Sequence, residues 1–351
     1  NEMGEDYTPE VMVLPRLSFS FPISSFAIFY AYYDKFSQRP SYGQTFTPIN
    51  TYYYLENASS TLLPNPGLKP TKRTDYLMGY KQLIGRKSVL NLSVGYADIR
   101  DDINLVNIEQ AYPRSYMTYG NVDFSTVKKF GVDFQMNLDN VQIKSNYLLQ
   151  FADGTGSNAN SSASLIQAGQ PNLKSLYPLQ FDVRHKLNVL VSTQLDRLSI
   201  KKRGFFKNMQ ANVIANAQSG SPFTAIVNAV PEAQNLGTVS RSQIKGNPFG
   251  SRMPWNYNVD MSISKSLIRN GKPVTFQLNV LNLLNLVQVY NVYAATASAT
   301  NDGYLSSPVG KQTVQREQNA QSFVQYYNLK LNNPSHFGSP RMISLTIRTS
   351  F

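Results

Sequence analysis

Apolar residues fall on every second position at the end of this chain. Ile343, Leu345 and Ile347 share one parity with Thr349 and Phe351, while Ser344, Thr346, Arg348 and Ser350 share the other. Side chains alternate across a β-strand, so the segment has one oily face and one wet face. About ten residues of this pattern are enough to cross a bilayer at a tilt. One such segment fits a soluble sandwich as well as a membrane, but here the pattern recurs along the whole chain.

Over 13–21, Leu17, Phe19 and Phe21 oppose Arg16, Ser18 and Ser20, and Pro22-Ile23-Ser24-Ser25 reads as a tight turn. Over 26–36, Ile28, Tyr30 and Tyr32 share a face, and a polar, aromatic loop over 37–70 follows. A strand over 73–84 turns at Gly85-Arg86-Lys87, after which Leu90, Leu92, Val94 and Tyr96 alternate with Asn91, Ser93 and Gly95. Residues 98–107 break the parity, which predicts a bulge or emergence from the membrane. After a loop near 112–119, Phe130, Val132 and Phe134 oppose Gly131, Asp133 and Gln135, and Asp139-Asn140 is a hairpin signal. Val141, Ile143, Tyr147 and Leu149 then oppose Gln142, Lys144 and Asn146, before a small-residue loop over 153–178.

Leu187, Val189 and Val191 return against Lys186, Asn188 and Ser192, and a basic turn over 196–207 leads into Ala211, Val213 and Ala215. A loop to Pro254 precedes Tyr257, Val259, Met261 and Ile263, set against Asn258, Asp260 and Ser262. Residues 269–272 turn the chain into Phe276, Leu278 and Val280, and the longest loop, 286–338, precedes the terminal strand. At its entry, 281–289 reads as a short helix. The expectation is an all-β protein, a transmembrane antiparallel β-barrel with about eleven strands and alternating short and long connections. The lumen-side parity then carries Asp133, Lys144, Asp260 and Arg348, whereas Lys265 falls on the oily parity and would snorkel to the interface. An odd strand count leaves two sheet edges in lipid, so residues 1–351 are expected to be part of a larger barrel.

Composition agrees. Only 15% of residues are charged, aromatics are plentiful (Tyr 22, Phe 19), and no stretch of 18 apolar residues offers a membrane helix. With no cysteine, disulfides, thiolate metal sites and Cys nucleophiles are excluded. The net charge of +12 is scattered and matches no nucleic-acid-binding signature, so no nucleic acid is expected as partner; attraction to anionic lipid head groups fits better. Of the two histidines, His185 lies between Arg184 and Lys186, which opposes its use as a general base, and no catalytic residue is assigned. Asp153-Gly154-Thr155-Gly156-Ser157-Asn158 faintly resembles a calcium loop but lacks its later Glu, so neither a metal site nor a cofactor is expected. Tyr52, Tyr53, Tyr54, Tyr290, Tyr293, Tyr326 and Tyr327 lie in long loops, where they either contact a ligand or partner or pack the loops on one another.

Four stretches together resemble the C-terminal half of TonB-dependent outer-membrane receptors, most of all the Bacteroidetes type with a regulatory-like N-terminal domain. They are 14–22 with 32–40; Asn65-Pro66-Gly67-Leu68-Lys69-Pro70 with Thr74-Asp75-Tyr76; Gln218-Ser219-Gly220-Ser221-Pro222-Phe223; and 279–285 with the terminal 341–351. The second usually continues with an acidic residue, where this chain has Thr71. The resemblance implies a barrel of about 22 strands in the bacterial outer membrane. It also implies a plug domain and a TonB-contacting segment N-terminal to Asn1. Its partners would be outer-membrane lipid and lipopolysaccharide, the TonB complex and possible surface lipoprotein or other outer-membrane subunits. Phe351 resembles the signal read by the assembly machinery, and is otherwise an interfacial anchor. The function expected is energised nutrient transport rather than enzymatic catalysis. The alternatives are a docking subunit of an outer-membrane assembly and a passive channel.

Overall fold

The computed structural model describes residues 10–46, 62–111, 115–163, 166, 174–195, 205–234, 243–269 and 272–349. In chain order the strands are β1 (Arg16–Ser24), β2 (Ala27–Gln38), β3 (Leu62–Leu63), β4 (Thr71–Ile84), β5 (Ser88–Ile108) and β6 (Tyr116–Asn137). There follow β7 (Val141–Gly154), β8 (Tyr177–Pro178), β9 (His185–Gln194), β10 (Met209–Gln218), β11 (Pro222–Phe223) and β12 (Ser251–Arg252), then β13 (Asn256–Arg269), β14 (Lys272–Leu281) and β15 (Met342–Thr349). Helix α1 (Tyr42–Thr45) follows β2, and α2 (Pro308–Arg316) and α3 (Ala320–Leu331) precede β15. Among the described residues no helix is long and apolar enough to cross a membrane, which leaves open a crossing by strands.

Eleven strands form one antiparallel path, β1-β2-β4-β5-β6-β7-β9-β10-β13-β14-β15, with the short β3 and β8 attached beside it. Register carries the alternation from strand to strand, because residues directly opposite each other point to the same face. Leu92 pairs with Val132, Val213 with Met261, and Leu278 with Leu345. On the other face Asn91 pairs with Asp133, Asn212 with Ser262, and Asn279 with Ser344. The oily face is left bare: Phe19, Met78 and Leu345 are 58%, 55% and 65% exposed. A soluble monomer does not sustain so broad an apolar surface, whereas a lipid-facing wall requires one.

The wet face is the concave one. A cavity of about 840 Å³ is lined from β1 and β2 round to β9 and β10, by Ser20, Tyr30, Asn91, Asp133, Asn188 and Ile214 among others. The trio Ile28, Tyr30 and Tyr32 lies on this wet face, opposite Pro22, Ser20 and Ser18, while Phe29, Ala31 and Tyr33 continue the oily face. Lys265 stays on the oily parity, opposite Phe276. Its ammonium donates to the Phe205 carbonyl at 2.7 Å and stands 4.1 Å from that ring's centre, so Phe205 receives it at the entry to β10.

Several local expectations shift. Pro22 lies within β1, beside a register shift between Pro22 and Ser24, and the turn falls at Ser25-Phe26. The broken parity after Asp98 is a bulge between Ile99 and Ile103, with Asp101 at φ 58°. β5 and β6 then continue for 21 and 22 residues in all, so β6 begins inside the loop expected near 112–119. No helix forms over 281–289; the chain turns instead, with Asn282 and Asn285 both at φ 51°. Asparagine accepts that left-handed backbone because its side chain bonds locally. Asn282 takes the Leu286 amide at 2.9 Å, and Asn285 takes the Arg341 amide at 3.0 Å, which ties the end of β14 to the entry of β15. Leu345→Arg should cost about 2–4 kcal/mol of insertion free energy and abolish the folded, heat-modifiable band on cold gels. Thr346→Arg, on the wet parity, should leave that band intact.

Candidate functional site

Polar residues line the concave wall in rows. Lys81, Asn91, Asp133, Asn146, Asn188, Asn216 and Asn258 stand directly opposite one another across seven successive strands of the path. The row is linked where its charge lies: Asp133 accepts from Asn91 Nδ2 at 3.0 Å and from the Asn146 amide. Tyr30 reaches into it, donating from its hydroxyl to Asn91 Oδ1 at 2.7 Å. That reach depends on Gly79, because a Cβ there would stand 2.2 Å from the Tyr30 ring. A lower row, Ser192, Asn212 and Ser262, repeats the design, with Ser192 Oγ donating to Asn212 Oδ1 at 2.6 Å and Asn212 Nδ2 donating to Ser262 Oγ at 3.3 Å. Such a wall offers hydrogen-bond donors and acceptors to a solvated occupant while keeping Asp133 compensated.

The long connections gather at one end of the sheet and are held by buried acids. Asp182, fully buried, accepts from the Ala152 amide at 3.0 Å and pairs with Arg252 and, at 3.4 Å, Arg184. This pins the β11–β12 hairpin to β7. The Gln218-to-Phe223 motif supplies the fit: a Cβ on Gly220 would lie 1.8 Å from the Met253 carbonyl oxygen, so only glycine admits the crossing chain. The Asn65-to-Pro70 motif clamps the extension of β5 and β6. Asn65 Nδ2 donates to the Tyr119 carbonyl at 2.8 Å, and Asn121 both accepts from the Lys69 amide at 2.8 Å and donates to the Lys69 carbonyl at 2.7 Å. Thr71 lies beside Asp102 (Oγ1 to Oδ1, 3.5 Å), where the acid implied by the resemblance would repel that carboxylate.

In the calcium-loop-like segment, Thr155 Oγ1 donates to the buried Asp123 at 3.0 Å. Among the described residues no cluster of three His, Asp or Glu side chains could hold a metal ion. The His185 ring bonds Tyr147 Oη at 2.9 Å and stacks on Trp255 at 5.6 Å, and His336 Nδ1 lies 2.9 Å from the Ala299 carbonyl.

The aromatic loop residues divide. Tyr293 and Tyr327 lie in a buried cluster with Ala233, Tyr304 and Leu331. Tyr327 donates to the fully buried Asp302, which also takes the Tyr304 amide at 2.9 Å, and Tyr293 donates to the Leu331 carbonyl at 3.1 Å. Burial, the Tyr327–Asp302 bond and the Asp302 charge push the Tyr327 phenol well above its ordinary pKa. Tyr290 and Tyr326 are 53% and 66% exposed. Tyr52, Tyr53, Tyr54 and Phe351 lie outside the described residues. The wet-wall row escaped the sequence reading as a site, although its alternate Asn, Asp and Lys positions were visible; only register reveals that they align.

Comparison with family models and with curated proteins finds no match. Solved structures do share the fold. The pyoverdine outer-membrane receptor FpvA of Pseudomonas aeruginosa PAO1 bound to pyoverdine superposes with a TM-score of 0.57 at 12% identity, over 96% of this chain and 36% of that one. FpvA in complex with a heterologous iron-loaded pyoverdine gives 0.53 at 11% identity, over 96% and 32%. The outer-membrane transporter YddB of Escherichia coli gives 0.53 at 12% identity, over 76% and 36%. The chain therefore spans about a third of the length of these structures, and the fold is that of the β-barrel in outer-membrane receptors.

Burial raises the Glu232 carboxyl, with Asp302 adding to the effect and the Ala294 and Ala295 amides opposing it. A carboxyl raised on folding carries no penalty below its unfolded pKa and the full penalty above its folded one. Opening of the 286–338 loop, followed by hydrogen exchange of α3, should therefore become easier as pH climbs through that window. Glu232→Gln should flatten the dependence. Gly220→Ala should cost about 1–3 kcal/mol in thermal unfolding through the blocked crossing.

Proposed function

We propose that this chain is part of the barrel wall of a TonB-dependent receptor in the bacterial outer membrane, and that it takes part in moving a nutrient inward. The observation that carries the reading is the facing of the sheet. The exposed apolar parity suits lipid, and the opposite parity lines a cavity of about 840 Å³ into which Lys81, Asn91, Asp133 and Asn188 are set among apolar side chains. On this reading the short turns are periplasmic and the long loops extracellular. The remaining strands, a plug and a TonB-contacting segment belong to sequence before Asn1, and the wall and loops supply passage and capture rather than the energy.

A second reading, a docking subunit, draws on α3. Its buried face carries Phe323, Tyr327 and Leu331, yet Tyr326 and Leu329, three residues apart, are 66% and 69% exposed. Such a stripe suits a surface lipoprotein or another outer-membrane subunit.

These 351 residues hold no cysteine, so a thiol introduced among them is the one thiol of this part of the wall. In the full protein in cells, Asn188→Cys should react with a charged, membrane-impermeant maleimide once the lumen is open, and Val189→Cys only with a lipophilic one. Equal labelling of the two would overturn the facing. Ferric pyoverdine, the cargo named with the FpvA structures, is the first uptake probe in a panel of labelled solutes. Uptake that stops when the proton gradient is collapsed supports the receptor; uptake that continues supports a passive channel. A panel with no uptake, together with a partner released by Tyr326→Ser and Leu329→Ser, supports docking.

A further inference from the structure

The acids of the wet face are neutralised in different ways. Asp34 and Asp75, opposite each other on β2 and β4, each have an arginine, Arg16 at 3.8 Å and Arg73 at 2.7 Å. Asp133 is held by amides and shares its cavity with Lys81 and Lys144. Asp260, on β13, has neither arrangement. It accepts from Asn258 Nδ2 and from the Asn282 amide, each at 2.8 Å, and both donors are neutral. Among the described residues no ion pair includes it.

Asp260 lies in a recess of about 230 Å³ where β13, β14 and β15 meet the ends of the 286–338 loop. Its lining includes Asn258, Gln288, Tyr290, Ser339 and Met342, and holds no lysine, arginine or histidine. Asn258 Oδ1 is buried there without a hydrogen-bond partner. The nitrogen of that amide is committed to Asp260, so the direction of the oxygen is set. The Ser339 carbonyl takes one long bond, from Asn282 Nδ2 at 3.3 Å, and keeps a lone pair to offer. Tyr290 is fixed through its hydroxyl, which donates to Gln288 Oε1 at 2.5 Å, while its ring stays open. Leu281 and Met342, both about half exposed although on the wet parity, complete the rim. Acceptor oxygens around a carboxylate, flanked by an aromatic ring and aliphatic side chains, match a cationic donor on an apolar stem.

We propose that this recess binds a primary ammonium group carried on an alkyl stem, the chemistry of a lysine side chain. Asp260 supplies the opposite charge, and Asn258 Oδ1 and the Ser339 carbonyl accept the remaining N–H bonds. Tyr290 offers its ring to the cation, and Leu281 and Met342 cover the stem. A calcium ion is a poorer fit, because a single carboxylate lines the recess. An anion would meet Asp260 with no cation to compensate. The ammonium comes either from a peptide in the lumen or from a lysine of this same protein outside residues 1–351. The proposal rests on the wet face being the lumen wall, and adds what that wall selects.

The test uses the full protein in detergent, with two readouts. The first is saturation-transfer NMR with the peptide acetyl-Gly-Lys-Gly-amide, set against the same peptide acetylated on its lysine nitrogen. The second is carbodiimide coupling, which joins a carboxylate to an amine in contact with it, followed by mass spectrometry of the peptide that carries Asp260. Transfer to the lysine methylenes of the first peptide and not the second supports a soluble source. Coupling of Asp260 to a lysine of the same protein, with neither peptide binding, supports the internal one. Asp260→Asn keeps the side chain's size, and should weaken peptide binding roughly tenfold or abolish the coupled product. Asp139→Asn, at a short turn, should change neither. Equal transfer to the two peptides, binding unchanged in Asp260→Asn, or neither binding nor coupling overturns the ammonium assignment. The maleimide pattern at Asn188→Cys and Val189→Cys separates the two failures. With that pattern intact only the recess is lost; with the two positions labelled equally, the lumen reading falls and this assignment with it.

Discussion

A polypeptide in hydrocarbon has no water to bond its amides and carbonyls, so each must find a protein partner. The unbroken path of antiparallel strands from β1 to β15 supplies those partners, and every other feature is fitted to it. Once the backbone is committed, a side chain can only face lipid or lumen, and the register makes that choice collective. One residue of slip in any strand would turn its oily set inward and its amides outward. The rows of Asn, Gln and Ser do more than wet the wall. By pairing with one another across strands, they give the wet parity an energetic reason to stay in step.

Polar anchors serve the long-loop end for a related reason. That end holds small apolar clusters of its own, and its connections are fastened in addition by Asp123, Asp182 and Asp302, each almost wholly buried. A buried carboxylate is costly unless several donors surround it, and each of these has them. The benefit is positional: a loop that supplies one donor to such a hub has little freedom to lie elsewhere. Tyr327 shows both aspects, since its ring fills the cluster beneath α3 and its hydroxyl serves Asp302.

The membrane-spanning strands were legible in the sequence because a period of two survives any uncertainty about strand ends. The Leu345 parity, the Asp139-Asn140 hairpin and the break after Asp98 all read correctly. The turn after β1 did not, since Pro22 suggested a bend that the edge strand absorbs as a bulge. The 281–289 segment looked helical because Leu281, Leu283 and Leu284 are good helix formers. Asn282 and Asn285 override them by bonding the backbone in a left-handed turn. The helices of the longest loop were missed for the opposite reason: α2 and α3 are short, and α3 is held by tertiary burial of Tyr327 and Leu331. The aligned polar row could not be read from one strand at a time, because alignment is a property of register.

The antiparallel path has one further consequence. Because β1 and β15 stand ten reversals apart, they run in the same sense, and among the described residues each has one flank without a partner. A twin molecule rotated about the membrane normal would bring like-directed flanks together and meet both seams in parallel. Closure by antiparallel seams alone instead takes an odd number of intervening strands whose first and last run against β15 and β1. Self-association of this wall is thus disfavoured by direction, before any side chain is considered.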